Sequence, residues 1–176
     1  IKNELHIKDW QIGLMTGFAF AIFYTMLGLP IARMAESRNR SLIIAGSLAV
    51  WSGFTMACGF AGNFVQLVAA RIGVGVGEAG CTPTSHSLIT DYVPKEQRAS
   101  ALAFFSIGTP LGGLLGLTMG GVMADLWGWR TAFMLAGAPG LILTLVVLAT
   151  LKEPRKMIAA HAAHHQPGKG HFAATL

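Results

Sequence analysis

The sequence predicts an all-α membrane protein that crosses the bilayer several times, and three observations carry that expectation. Of 176 residues, 53% are hydrophobic and only 12% are Asp, Glu, Lys or Arg, about half the charged fraction of ordinary soluble domains. The charges are clustered, leaving charge-free runs at 10–32, 41–70, 99–124 and 131–151, each as long as the ~20 apolar residues that cross ~30 Å of hydrocarbon, or longer. These runs are continuously apolar, without the period-two alternation of the ~10-residue strands of a membrane barrel.

Five spans follow, at about 10–33, 41–60, 64–91, 99–124 and 130–151. The 41–70 run cannot be one crossing, because 30 residues of helix would be ~45 Å long. Gly59, Gly62 and Asn63 supply turn chemistry inside it, and Asn63 is positioned to cap the third span. Asp125-Leu-Trp-Gly-Trp-Arg130 makes a tight link with interfacial aromatics between the last two spans. Lys152-Glu-Pro-Arg-Lys156 stops the fifth span, so 1–151 reads as the transmembrane bundle and 152–176 as a linker. In that linker His161, His164, His165 and His171 have no nearby carboxylate or Cys to fix a coordination geometry, and no metal is expected. Cys58 and Cys81 lie in apolar stretches and read as small fillers rather than a disulfide framework. The chain begins at Ile1 without a signal-peptide pattern, and further sequence is expected upstream.

Loop charges orient the spans. Arg33, Arg38, Arg40, Lys95, Arg98, Lys152, Arg155, Lys156 and Lys169 fall on one side, whereas Lys2, Lys8 and Arg130 fall on the other. Nine against three places the 34–40 loop, the 92–98 loop and the C-terminal linker in the cytoplasm. The net charge of +5 is thereby explained by topology, and nucleic acid is not an expected partner.

Arg71 and Glu78 are the ionisable residues deep in a span. Each costs about 2.5–3.5 kcal/mol at the bilayer centre on insertion scales, so each needs a partner or an aqueous cavity. A spacing of seven turns them to within ~20° on a helix, ~10.5 Å apart along it. Gly75, Thr82 and Ser85 fall near the same stripe. Such a stripe lines a substrate or proton pathway, or it is a structural charge network; both readings face the bundle interior. Gly73, Gly77 and Gly80 on the opposite face allow close helix packing. Gly108, Gly112, Gly116 and Gly120 repeat the device in the next span, with Gly113 and Gly121 beside them and Pro110 expected to kink the helix or weaken one turn.

Gly75-Val-Gly-Glu-Ala-Gly80 matches a dinucleotide-binding string, but it lies between membrane segments with no βαβ unit, and Asp91 is only sixteen positions past Gly75. Ser85 and His86 are neighbours without a nucleophile elbow. Neither supports an enzyme, and no cofactor is expected. Arg33, Glu36, Arg38 and Arg40 crowd one basic loop and Asp91, Lys95, Glu96 and Arg98 the other, a pattern suited to an inter-loop gate or to plain anchoring.

These residues resemble the amino-terminal half of a major facilitator superfamily transporter, most closely bacterial members of its spinster-like branch. Gly28-Leu-Pro-Ile-Ala-Arg33 resembles the lead-in to that family's first inner loop, followed by Glu36 where the family has Asp and by Arg40. Ala32 and Asn39 stand at usual glycines, and Ser37 and Ser41 at usual basic positions, so the gate role carries over to Glu36 and Arg40 only. Arg71-Ile-Gly-Val-Gly75-Val-Gly77 resembles the fourth-helix motif, to which the spinster-like branch adds Glu78. Gly108-Thr-Pro110-Leu-Gly-Gly113, with Gly112 inside it, resembles the fifth-helix Gly-Pro motif, one residue shorter than in antiporters.

The resemblance implies that the five spans are helices two to six of a partial six-helix bundle, with the first helix and the second half of the protein as missing partners. It implies alternating access around a midplane site between two halves, in a bacterial inner membrane. The expected cargo is a small or amphipathic, lipid-like organic solute, with Arg71 anchoring an anionic group and Glu78 a proton or cation site. The contrasting reading is a non-transporting membrane scaffold or a truncated remnant whose charges only staple helices together.

Overall fold

Local chemistry starts and stops each helix. The computed structural model describes residues 1–2 and 4–154, together with all side chains there except those of Ala19 and Glu36. The linker from 155 onward, with its four histidines, lies outside the described residues. The first helix, α1 (Asp9–Gly13), passes through a π-helical turn (Leu14–Phe18) into α2 (Ala19–Ser37). Asn39 then accepts the Leu42 N–H at 3.2 Å and caps α3 (Arg40–Gly59). Asn63 does the same for α4 (Phe64–Tyr92), accepting the Gln66 N–H at 2.9 Å, while Gln66 Oε1 accepts the Gly62 N–H at 2.8 Å. A short 3-10 turn (Lys95–Gln97) leads into α5 (Arg98–Thr150).

Among the described residues, four helical stretches are long and apolar enough to cross a membrane, and α5 accounts for two crossings. Its 53 residues would extend ~80 Å as one straight helix, far beyond a bilayer of ~40–45 Å with its headgroups. The break is at Gly128, whose φ of 83° and ψ of 155° are open essentially to glycine alone. Hydrogen bonds at the two ends establish the reversal. Arg98 Nε donates to the Val93 carbonyl and the Tyr92 hydroxyl donates to that of Lys152, so both termini of α5 sit at the C-terminal end of α4. Arg130, just past the break, instead donates to the carbonyls of Gly59 and Ala61 at the far end of α3. The chain therefore crosses, turns at Gly128 and returns.

The observed helices differ from the expected spans mainly at their ends. The first span continues to Ser37 rather than 33, and the first arm of α5 runs to the Gly128 break rather than stopping at 124. Arg33 and Asp125 end the apolar run without ending the helix: the long Arg33 side chain can hold its charge toward the interface from a helical backbone, and Asp125 lies just before the Gly128 break. Pro110 likewise sits inside α5 without leaving helical φ/ψ; the departure in that helix is at Gly128.

α3 is the centre of the packing, with α4 on one side and the second arm of α5 on another, while α2 packs against α4. Backbones approach closely at both of its contacts. A Cβ on Gly73 would collide with the Phe54 ring and one on Gly80 with Ser47, whereas on the other side of α3 a Cβ on Gly137 would stand 2.6 Å from the Ser52 carbonyl oxygen. Gly77 lies over the α3 backbone itself, where a Cβ would stand 2.8 Å from Trp51 Cα and 2.9 Å from the Ser47 carbonyl oxygen. Backbone atoms cannot swing aside, so Gly77→Ala is expected to cost about 1–3 kcal/mol. A Cβ on Gly53 of α3 would meet nothing within 4 Å, so Gly53→Ala is expected to stay within about 0.5 kcal/mol of the parent. Melting of the purified protein in detergent checks the contrast, which disappears if α3 and α4 do not approach this closely.

Candidate functional site

The seven-residue spacing of Arg71 and Glu78 does place both on one cavity. Its walls come from three helices: Met15, Thr16 and Phe20 around the π turn, Trp51 and Thr55 of α3, and Arg71, Val74 and Glu78 of α4. The volume is about 300 Å³, at the lower end for a small-molecule site. Gly75 allows α2 near, because a Cβ there would be 3.1 Å from the Phe20 ring. π turns of this kind recur at functional positions, and this one carries Met15 and Thr16 to the cavity wall.

The two charges are not paired with each other among the described residues. Arg71 instead lies over the Phe133 ring, 5.9 Å from its centroid, a cation–π contact that satisfies the guanidinium only in part. Thr16 and Thr55 donate their hydroxyl hydrogens to the Ile12 and Trp51 carbonyls at 2.8 and 2.9 Å, which leaves the hydroxyl oxygens as acceptors. The cavity thus offers one cation, one carboxyl group and two hydroxyls. Thr82 and Ser85 lie further along α4, Thr82 exposed and Ser85 buried, and neither lines this cavity. His86 stacks edge-on against Phe105 at 5.2 Å between centroids. Thr16, Trp51 and Thr55 were not legible as site residues, since each is an ordinary residue of an apolar span until the helices are brought together.

A second charge centre sits at the basic end of the bundle. Arg40, fully buried at the start of α3, pairs with Asp91 of α4 at 2.8 Å and with Glu153, beyond α5, at 2.6 Å. It also donates to the carbonyl and hydroxyl oxygens of Ser87 at 3.0 and 3.1 Å. The Arg40 backbone N–H donates to Glu153 Oε2 at 2.6 Å, which seats a carboxylate at the positive end of α3. Arg40 thus joins α3, α4 and the end of α5; the Glu36 side chain lies outside the described residues. Glu153 had one sequence signal, a lone carboxylate in an otherwise basic helix stop, but a count of Lys and Arg ignores it. Gly108, Gly112 and Gly113 face open space, with nothing within 4 Å of a Cβ at any of them, and Pro110 lies on the same arm. Gly75 and Gly77, by contrast, contact α2 and α3 respectively.

At the opposite end Glu4 binds Arg130 at 3.0 Å and accepts the Trp129 indole N–H at 2.6 Å. Arg130 stacks on Trp129, 4.4 Å from its centroid. The indole hydrogen bond, followed by the one from Arg130, holds the Glu4 carboxyl below the usual carboxylate range.

A multi-pass bundle of apolar helices around a small charged cavity is the architecture of a membrane protein. The Major Facilitator Superfamily model matches residues 1–173, and the chain belongs to that superfamily. It is 36% identical over 162 residues to a protein of Mycolicibacterium smegmatis named as an MFS-type efflux pump, covering 92% of this chain and 38% of that one. It is 30% identical over 173 residues to a hexuronate transporter of Bacillus subtilis, covering 96% of this chain and 41% of that one. The crystal structure of a bacterial homologue of the human lysosomal transporter Spinster, inward-facing and occupied, matches with a TM-score of 0.76 and 37% identity, over 87% of this chain and 38% of that one. The spinster-like resemblance therefore extends to the fold, and the chain spans about two-fifths of the length of these relatives.

Two outcomes are expected from the charge centres. Arg40→Ala leaves Asp91 and Glu153 without their buried cation and is expected to destabilise by about 3–5 kcal/mol, read as a fall in melting temperature. The Glu4 carboxylate has a lowered folded-state pKa, so its tether is fully present above the ordinary carboxylate range and is lost as pH falls through the folded value. Protection factors at residues 4–8, taken relative to the intrinsic exchange rate at each pH, should fall on acidification in the parent protein. In Glu4→Gln they should be low throughout.

Proposed function

We propose that the chain forms part of the amino-terminal wall of a secondary transporter for a small or amphipathic organic solute, moved by alternating access. The observation that carries the reading is the cavity shared by Arg71 and Glu78, two charges the bilayer disfavours and which do not neutralise each other by direct pairing. Arg71 is the anchor for an anionic group on the solute, and Glu78 is the site at which a proton binds and leaves. A relative named for hexuronate, whose name denotes a carboxylate, fits an arginine anchor. The Arg40–Asp91–Glu153 centre closes the basic end and opens when the two halves of the full protein rock against each other. The excess of Lys and Arg at that end favours a cytoplasmic position for it, and for the linker, in a bacterial inner membrane.

Uptake or efflux of an aromatic or sugar carboxylate by the full-length protein in proteoliposomes tests the two roles separately. Glu78→Gln is expected to flatten the pH dependence of transport. Arg71→Gln is expected to raise KM for an anionic solute about tenfold, the equivalent of one lost charge-assisted hydrogen bond. If Glu78→Gln leaves both rate and pH dependence unchanged, the carboxyl group has no part in coupling.

A further inference from the structure

The bundle carries a second, larger concavity that shares no residue with the charged cavity. α2 and α3 both pack on α4 but scarcely on each other, which leaves a groove of about 580 Å³ between them. Val76 and Gly77 of α4 form its floor, and Ile31 and Met34 of α2 face Leu42 and Val50 of α3 across it. Its charged residue is Arg38 at the rim, beside Asn39.

We propose that this groove binds one acyl chain of an anionic phospholipid from the surrounding bilayer, with the lipid phosphate held by Arg38 and Asn39. The dimensions suit a lipid. α2 ends at Ser37 and α3 begins at Arg40, which puts Arg38 and Asn39 at the membrane–water boundary. The lining from Leu42 to Val50 then extends ~12 Å inward, within the ~15 Å depth of one leaflet's hydrocarbon. Apart from Ser47, the depth is lined by apolar residues and glycines, and the charged and amide groups of Arg38 and Asn39 are at the rim, as in a phospholipid itself.

The charges select the occupant. Arg40 is saturated by Asp91 and Glu153, whereas Arg38, two residues earlier, is exposed and forms no ion pair among the described residues. Asn39 spends its oxygen on the α3 cap and so presents amide donors to an anion. A second copy of the chain fits less well. Copies share one orientation in the bilayer, so a symmetric contact through this groove would bring two arginine-bearing rims to the same level. Gly46 lies in the wall with nothing within 4 Å of a Cβ, so a larger side chain there would occupy the groove without moving backbone.

Native mass spectrometry of the purified protein, released from nanodiscs of equal phosphatidylglycerol and phosphatidylcholine, reads occupancy and oligomeric state together. The parent is expected to retain one phosphatidylglycerol about fivefold over phosphatidylcholine, the effect of one basic residue at a lipid surface. Arg38→Gln should bring the ratio to near one and Arg38→Lys should keep it. Gly46→Leu should lower retention of both lipids. A parent without headgroup preference, an Arg38→Gln variant that keeps it, or a Gly46→Leu variant that retains lipid undiminished overturns the proposal. So does a dimer mass that Gly46→Leu abolishes while lipid binding is unaffected, which would assign the groove to a second copy. None of these readings depends on what the protein transports.

Discussion

Close backbone contact around α3 is the constraint on which the rest of the bundle depends. In a bilayer the lipid tails are as apolar as leucine, so hydrophobic burial does not draw helices together and packing at short range must do so. α3 meets α4 where Gly73, Gly77 and Gly80 admit Phe54, Trp51 and Ser47, and meets the second arm of α5 where Gly137 and Gly140 admit Ser52 and Met56. Both partners are thereby fixed to the same helix. The position of α4 fixes Arg71 and Glu78, and the position of α5 fixes Phe133 above Arg71. Polar groups then lock the two ends of this assembly, Arg40 with Asp91 and Glu153 at one end, and Arg130 with Glu4 and the α3 carbonyls at the other.

Much of this was legible from the residues alone, and what was not has a physical cause. Charge-free length reveals a crossing because the bilayer sets a minimum for it, and the Asn63 cap could be read because its partner is three residues away. The face of α4 that packs and the face that carries charge were separable by helical periodicity, since Gly73, Gly77 and Gly80 lie opposite Arg71 and Glu78. Long-range pairings were not separable in this way. Glu153 lies 113 residues from Arg40, and no local pattern encodes that distance. The regular spacing of the glycines at 108, 112 and 113 drew the packing expectation, yet it is Gly137 and Gly140, outside that pattern, that meet a neighbour within the described residues. A glycine marks where a close approach is possible; the partner is specified by the remainder of the fold.

The two charge centres differ in a way that bears on their roles. Arg40 has its guanidinium bonded to two carboxylates and to both oxygens of Ser87. Such a charge is fixed, because removing any partner exposes a desolvated ion at a cost of several kcal/mol. Arg71 has an aromatic face for company and Glu78 lies in the same cavity without pairing to it. A site intended for an exchangeable ligand has to stay incompletely satisfied, since a solute can only add bonds that the protein has left unmade. That contrast is what supports the proposal of a solute site at the Arg71–Glu78 cavity and of a mechanical restraint at Arg40. The restraint sits at the membrane boundary, where entering water can replace a broken ion pair. A movement that opens the basic end would therefore cost less than breaking the same ion pairs deep in the bilayer.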